Sequence, residues 1–165
     1  MTDPRACALR EVDALVDEIV AFTSDLIRIP TVNPPGERYG DCARVLGERL
    51  GHCGFEVEYH PAEGRPEHTP AHPRVNVVGT RGGSGPGPVV HLNGHLDVVP
   101  AGEGWTVDPF GGAVRDGRVW GRGACDMKAG IAAAVQASDI PIRTPAPIMM
   151  LRKPCALAIS ARPRT

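Results

Sequence analysis

This sequence has no excess of either charge. Eighteen Lys and Arg stand against nineteen Asp and Glu, a formal net charge of −1, so nothing draws the chain electrostatically to nucleic acid or to an anionic membrane surface. Aromatic residues are scarce: two Trp, two Tyr and three Phe do not make a stacking platform for unpaired bases. Cys7, Cys42, Cys53, Cys125 and Cys155 contain no C-x-x-C pair, and an odd number cannot all pair. That argues against a secreted disulfide framework and for a reducing compartment. Met1 to Arg10 has no apolar segment of the signal-peptide kind, and no apolar run reaches the length of a membrane span. A cytoplasmic protein is the expectation.

What is present is ordinary in bulk. An apolar fraction of 42% and a charged fraction of 22% are globular values, and 165 residues suffice for one domain with a buried core. Twenty Gly and 17 Pro lie mostly between the periodic segments, as in a loop-rich domain.

Val12, Leu15, Val16, Ile19, Phe22 and Leu26 recur at three- and four-residue spacing, which predicts one amphipathic helix over 10–28. Pro30 ends it, and Asn33-Pro34-Pro35-Gly36 is a turn. A second helix over about 39–52 puts Cys42, Val45, Leu46 and Leu50 on one face. Strands are expected at 55–59, 74–80 and 89–92, and Asp116-Gly117 marks a tight hairpin between 112–115 and 118–120. Met127 to Ala137 is Ala-rich and reads as a helix. This order implies an α/β domain with a mixed sheet over residues 1–137. Residues 138–165 carry five prolines and five basic residues with Asp139 as their only acid, and show no period. They read as an irregular tail, or as sequence foreign to the domain and out of frame.

Two stretches carry chemistry. In Gly94-His95-Leu96-Asp97, His95 has the imidazole of a metal ligand. Residues two apart on extended backbone share a face, so Asp97 can accept the proton on the other ring nitrogen and fix the tautomer. The plain alternative is a surface His beside a loop Asp. In Gly121-Arg122-Gly123-Ala124-Cys125-Asp126-Met127-Lys128, glycines permit close backbone approach before a helix. Asp126 there is either a ligand bridging two cations or an ordinary helix cap. Cys125 reads as a buried bystander, Lys128 at least as readily as a solvated residue of the first turn as a working part of this stretch, and His91 as structural.

In order, Gly-His95-Leu-Asp97-Val-Val-Pro100, then Trp105 with Asp108-Pro109-Phe110, then Asp116-Gly117-Arg118-Val119-Trp120-Gly121-Arg122-Gly123, then Asp126-Met127-Lys128-Ala129-Gly130 resemble the M20 metallopeptidase signature. This is the acetylornithine deacetylase / succinyl-diaminopimelate desuccinylase family, and the resemblance reaches back through Thr31-Val32-Asn33-Pro34-Pro35-Gly36. It implies the N-terminal part of a zinc-peptidase-like catalytic domain, lacking the lid or dimerisation domain of a family that is often homodimeric. It implies two Zn2+ ions, or Co2+, with His95 ligating one, Asp126 bridging both, and Asp97 counted as catalytic for clamping the imidazole. The activity implied is hydrolysis of amide bonds in N-acyl amino acids or small peptides by metal-activated water. The 105–110 segment matches one beside the family's active site and has no catalytic role assigned to it.

The resemblance also implies a glutamate base and further ligands after Asp126. Within these 165 residues the last Glu is Glu103 and the last His is His95. The chain alone is therefore expected to be inactive. The alternative reading is a non-catalytic remnant or interaction module that keeps part of the fold.

Overall fold

The apolar stripe from Val12 to Leu26 is divided between two helices. In the computed structural model, which describes residues 4–82, 89–138 and 156–160, α1 (Pro4–Ala14) and α2 (Val16–Ile27) are separated at Leu15. The Leu15 amide turns back onto the Val12 carbonyl at 3.0 Å. The stripe is buried only in the later part of α2: Phe22, Leu26 and Ile27 are buried, while Val12 in α1 and Val16 at the start of α2 remain 40% and 47% exposed. The single helix expected over 10–28 is corrected accordingly. Periodicity reports which side of a helix is apolar, not whether its axis continues.

The second helix, α3 (Tyr39–His52), lies where the spacing put it, with Tyr39, Cys42, Leu46 and Leu50 buried. Next come β1 (Glu56–Pro61), β2 (Val75–Thr80) and β3 (His91–His95). The pair β4 (Ala113–Arg115) and β5 (Arg118–Trp120) is closed by Asp116 and Gly117, both at positive φ (54° and 68°). That is the backbone of a two-residue turn matched to strand twist. After a π-helical turn (Ala124–Lys128), α4 (Ala129–Ala137) completes the helices.

A last strand, β6 (Ala156–Ser160), lies within the main sheet, whose order is β1-β2-β6-β3. It runs parallel to β2, with Val77 opposite Leu157, and antiparallel to β3, with His91 opposite Ser160. With β1 and β2 antiparallel, the sheet is mixed, and the fold is α/β as expected. The strand differs from the periodless reading of 138–165. A strand flanked on both edges need not alternate, and Ala-Leu-Ala-Ile-Ser is too short to stand out. The rest of that tail reading, beyond Ser138, lies outside the described residues.

Leu26, Leu46, Leu50, Val77, Leu96 and Ile131 belong to one buried cluster that joins α2, α3, α4 and the sheet. Lys128 corrects a second expectation: it is 1% exposed rather than solvated. Its Nζ donates to the carbonyls of Leu26 (2.8 Å) and Ile29 (2.7 Å), tying the end of α2 to the π-helical turn. Burial drives its pKa down to about 8, against the opposing pull of Cys42.

Lys128→Met removes both donors and leaves carbonyls without them, so urea denaturation should show a loss of roughly 1–3 kcal/mol. A change below about 0.5 kcal/mol, the size of an ordinary surface substitution, would show that the tie is unimportant. The folded amine releases its proton near 8 and the unfolded one near 10.5, so the unfolded chain binds more protons and this group makes stability rise with pH. The slope should be visible between pH 8 and 9.0, below the ordinary cysteine value that governs Cys42 in the unfolded chain. The Met variant should lack it.

Candidate functional site

Strand β3 delivers His95 to its C-terminal end, and the chain beyond is held by a second segment alongside. Val98 N–H donates to Thr31 O and Asn33 N–H to Val98 O, both at 2.9 Å, forming a parallel bridge between Val32 and Val98. Leu96 and Val98 point into the core. The residue between them, Asp97, is left on the side where His95 emerges. The two-residue spacing read from sequence does place them together.

The His95 ring has an acceptor at each nitrogen. Nδ1 donates to the Asp97 main-chain carbonyl at 2.9 Å, with Asp97 Oδ1 3.3 Å away. The carbonyl, not the carboxylate, is thus the nearer partner. Nε2 faces Asp126 Oδ1 at 2.9 Å. Burial pushes the ring's pKa down, but the Asp126 hydrogen bond, the Asp97 carbonyl and the charges of both carboxylates outweigh it, and His95 titrates above the ordinary 6.5.

Asp126 is not the helix cap of the plainer alternative. Lys128 occupies the N-cap of α4 and no side chain caps either that helix or the π-helical turn. Asp126 and Met127 instead leave helical geometry (φ −128°, ψ 96° and φ −137°, ψ 31°), and their joining peptide is cis. Gly123 has φ +85°, and a Cβ there would lie 2.5 Å from Val98 Cγ1. Only glycine lets the 121–126 loop close onto the segment after β3. The carboxylate of Asp126 is 87% exposed, open to a ligand.

These groups line a cleft of about 460 Å³. Trp105 and Arg122 wall it together. The indole N–H and a guanidinium N–H both donate to Ala101 O (2.8 and 2.7 Å), and the guanidinium stacks 5.4 Å from the Trp105 ring centre. Asp108 accepts the Phe110 N–H at 2.9 Å, a turn-forming bond. Cys125 is exposed and lines the cleft, correcting its reading as a buried bystander. His91 lies at the far end of β3, and the cleft lining does not include it. Sequence reasoning missed Arg122 and Trp120 as lining residues, and Asn33 as a neighbour of Asp97. Only the pairing of 31–33 with 96–98 reveals the last.

The donor set suits a divalent cation, in part. A neutral imidazole donates one proton, yet both nitrogens face oxygen; the ring must carry a second proton, or a cation must replace it at Nε2. Nitrogen and oxygen donors 2.9 Å apart can share an ion bound at about 2.0–2.2 Å from each. Among the described residues, however, no three His, Cys, Asp or Glu converge as a metal-binding group. Two candidate ligands are present; among the described residues a third is not. In the metal-free chain a raised histidine pKa stabilises the fold below 6.5 and ceases to as pH climbs through the folded value. Asp126→Asn should therefore lower the His95 midpoint in an NMR titration, and an unmoved midpoint would mean that the two side chains do not meet in solution.

Known proteins bear on these residues. Residues 91–151 match the family model of Peptidase family M20/M25/M40, a match that runs past Ala137. Over 122 residues the chain is 44% identical to succinyl-diaminopimelate desuccinylase of Cereibacter sphaeroides, and over 121 residues 47% identical to that of Gluconacetobacter diazotrophicus. Each comparison covers 72% of this chain but only 29% and 28% of the relative, so the chain spans under a third of their length. Among solved structures, human carnosine dipeptidase 1 shares the fold with a TM-score of 0.60 at 21% identity, covering 98% of this chain and 35% of that one. An M20 family metallo-carboxypeptidase from Sulfolobus solfataricus does so at 0.58 and 18% identity, covering 89% and 31%. Motif order, sequence match and fold agree, and the chain belongs to the M20 peptidase family.

Proposed function

We propose that this chain carries part of the catalytic domain of a metal-dependent hydrolase that cleaves amide bonds in N-acyl amino acids or small peptides, of the desuccinylase or deacetylase type. The observation that supports the reading most is the 2.9 Å approach of His95 Nε2 to Asp126 Oδ1, with the opposite ring nitrogen held by Asp97. His95 and Asp126 would hold the cation; nitrogen and oxygen donors suit Zn2+, with Co2+ a substitute. A bound cation of this kind lowers the pKa of water and polarises a carbonyl. Asp97 keeps the imidazole oriented. Trp105 and Arg122 form a rigid wall against which a substrate amide is positioned. The names of the relatives, desuccinylases and dipeptidases, favour a small substrate.

A proton shuttle is the part that these residues do not supply. General-base catalysis needs a carboxylate or imidazole within reach of the attacking water, and no Glu follows Glu103 in the 165 residues. Asp97 is engaged by His95 and Asn33. The 165-residue polypeptide by itself is therefore proposed to bind metal weakly and to turn over nothing. A non-catalytic interaction module is the second reading, favoured by the same shortage of ligands.

Thermal melts separate the two. Zinc should raise the melting temperature of the wild-type chain, approaching about 2.7 kcal/mol of stabilisation when free zinc is about 100 times Kd. His95→Ala and Asp126→Ala should each abolish the shift. A melt indifferent to zinc, or one shifted equally in all three proteins, would favour the module. Release of succinate or acetate from N-acylated amino acids by the 165-residue chain should be absent with either metal; turnover that disappears in His95→Ala would overturn that expectation.

A further inference from the structure

Asn33 stands behind the candidate metal ligand rather than in the cleft. Its amide nitrogen Nδ2 donates to Asp97 Oδ2 at 3.2 Å, while its Oδ1 accepts from Arg74 Nη2 at 3.3 Å. A primary amide has a donor end and an acceptor end that can exchange by rotation. With a guanidinium on one side and a carboxylate on the other, only one orientation satisfies both neighbours.

Arg74 is itself pinned. Nη2 also donates to Pro35 O (2.8 Å), Nε donates to Glu67 O (3.1 Å), and the guanidinium stacks 4.7 Å from the Tyr39 ring centre. The residue is 7% exposed. It fits because residue 36 is glycine at φ +108°; a Cβ there would overlap the guanidinium carbon. Burying a cation inside a turn is costly without specific partners, and main-chain bonds from the Gly36 and Glu37 N–H groups to Val32 O already close this turn. What the arrangement does accomplish is to order Asn33. Asn33 then engages Asp97 Oδ2, which leaves Oδ1 directed to His95 Nδ1 at 3.3 Å, beside the Asp97 carbonyl at 2.9 Å.

We infer that Arg74 and Asn33 are positioning residues for the metal ligand: Arg74 sets the orientation of the Asn33 amide, Asn33 sets the Asp97 carboxylate, and together they keep the His95 proton on Nδ1 so that the Nε2 lone pair faces the cation. The metal part of this inference rests on the proposed function; the ordering of the ring does not.

The test uses the full 165-residue chain labelled with 15N-histidine. Ring nitrogen shifts are recorded without metal at alkaline pH, where the imidazole is neutral, and Zn2+ binding is measured by calorimetry. Asn33→Asp keeps the side-chain shape and removes the N–H donor; Asn33→Leu removes it without adding a charge beside Asp97. With Asp126→Ala removing the carboxylate that competes for a proton on Nε2, the chain should hold mainly the Nδ1–H tautomer. Both variants should show a larger Nε2–H share and bind Zn2+ about tenfold more weakly, the lower end of what loss of an outer hydrogen-bond partner costs a metal site. Circular dichroism identifies any variant that fails to fold. Wild-type tautomer populations and affinity in a folded variant would overturn the inference, while leaving the proposed function intact if His95→Ala still loses zinc. A dominant Nε2–H tautomer in the Asp126→Ala chain would overturn it without any change at Asn33. Zinc binding that survives His95→Ala would instead remove the metal reading, and the tautomer populations would then decide the positioning role alone.

Discussion

An imidazole with an oxygen acceptor at each nitrogen is an unusual thing to hold in place, because the neutral ring can satisfy only one of them. In this protein His95 meets the Asp97 carbonyl on one side and the Asp126 carboxylate on the other. The arrangement persists if the ring gains a second proton or if a cation takes the proton's position at Nε2. Either way positive charge is required between His95 and Asp126. That requirement organises the region: Asp97 steadies the ring from behind, and Asp126 stays open to the solvent side, where a ligand can enter.

The scaffold's task is to bring two distant pieces of chain to that point. His95 comes from the end of β3, whose continuation is locked by its bridge to residues 31–33. Asp126 comes from a glycine-bearing loop that closes on Val98 because Gly123 has no side chain to obstruct it. Lys128, two residues on, fastens this loop to the end of α2 through two main-chain carbonyls. A buried ammonium is an expensive fastener, but one that fixes the helix end and the loop at once. The same logic recurs behind the site, where Arg74 lies in the turn that carries Asn33. Two buried cations with main-chain carbonyl partners thus frame the candidate centre without entering it.

Two ligands make a cation site only in part, and the M20 relatives are more than three times as long as the stretch compared here. The geometry nonetheless separates what the local residues can do from what they cannot. They can present a nitrogen and an oxygen donor at a spacing that fits one ion, with the ring's outer face braced. Among the described residues, no third His, Cys, Asp or Glu converges on that ion.

Much of this was legible in the residues alone. The 3.6-residue period located α3, β-branched residues located β2, and the Asp116-Gly117 dipeptide located the hairpin, because those elements owe their form to local backbone preference and to one apolar face. The His95–Asp97 pairing was legible too, since extended backbone puts alternate residues on one side. What sequence could not decide were the questions answered by partners far along the chain. The break at Leu15 depends on which half of an apolar stripe finds a core. The burial of Lys128 depends on two carbonyls about a hundred residues away. Asn33 reads as a turn former until the 31–33 segment is laid against 96–98. The strand β6 is recognised only by its place between β2 and β3. Local propensity determined the elements and the chemistry they carry; long-range register decided which of those groups meet, because a hydrogen bond between distant residues leaves no periodic trace in either segment.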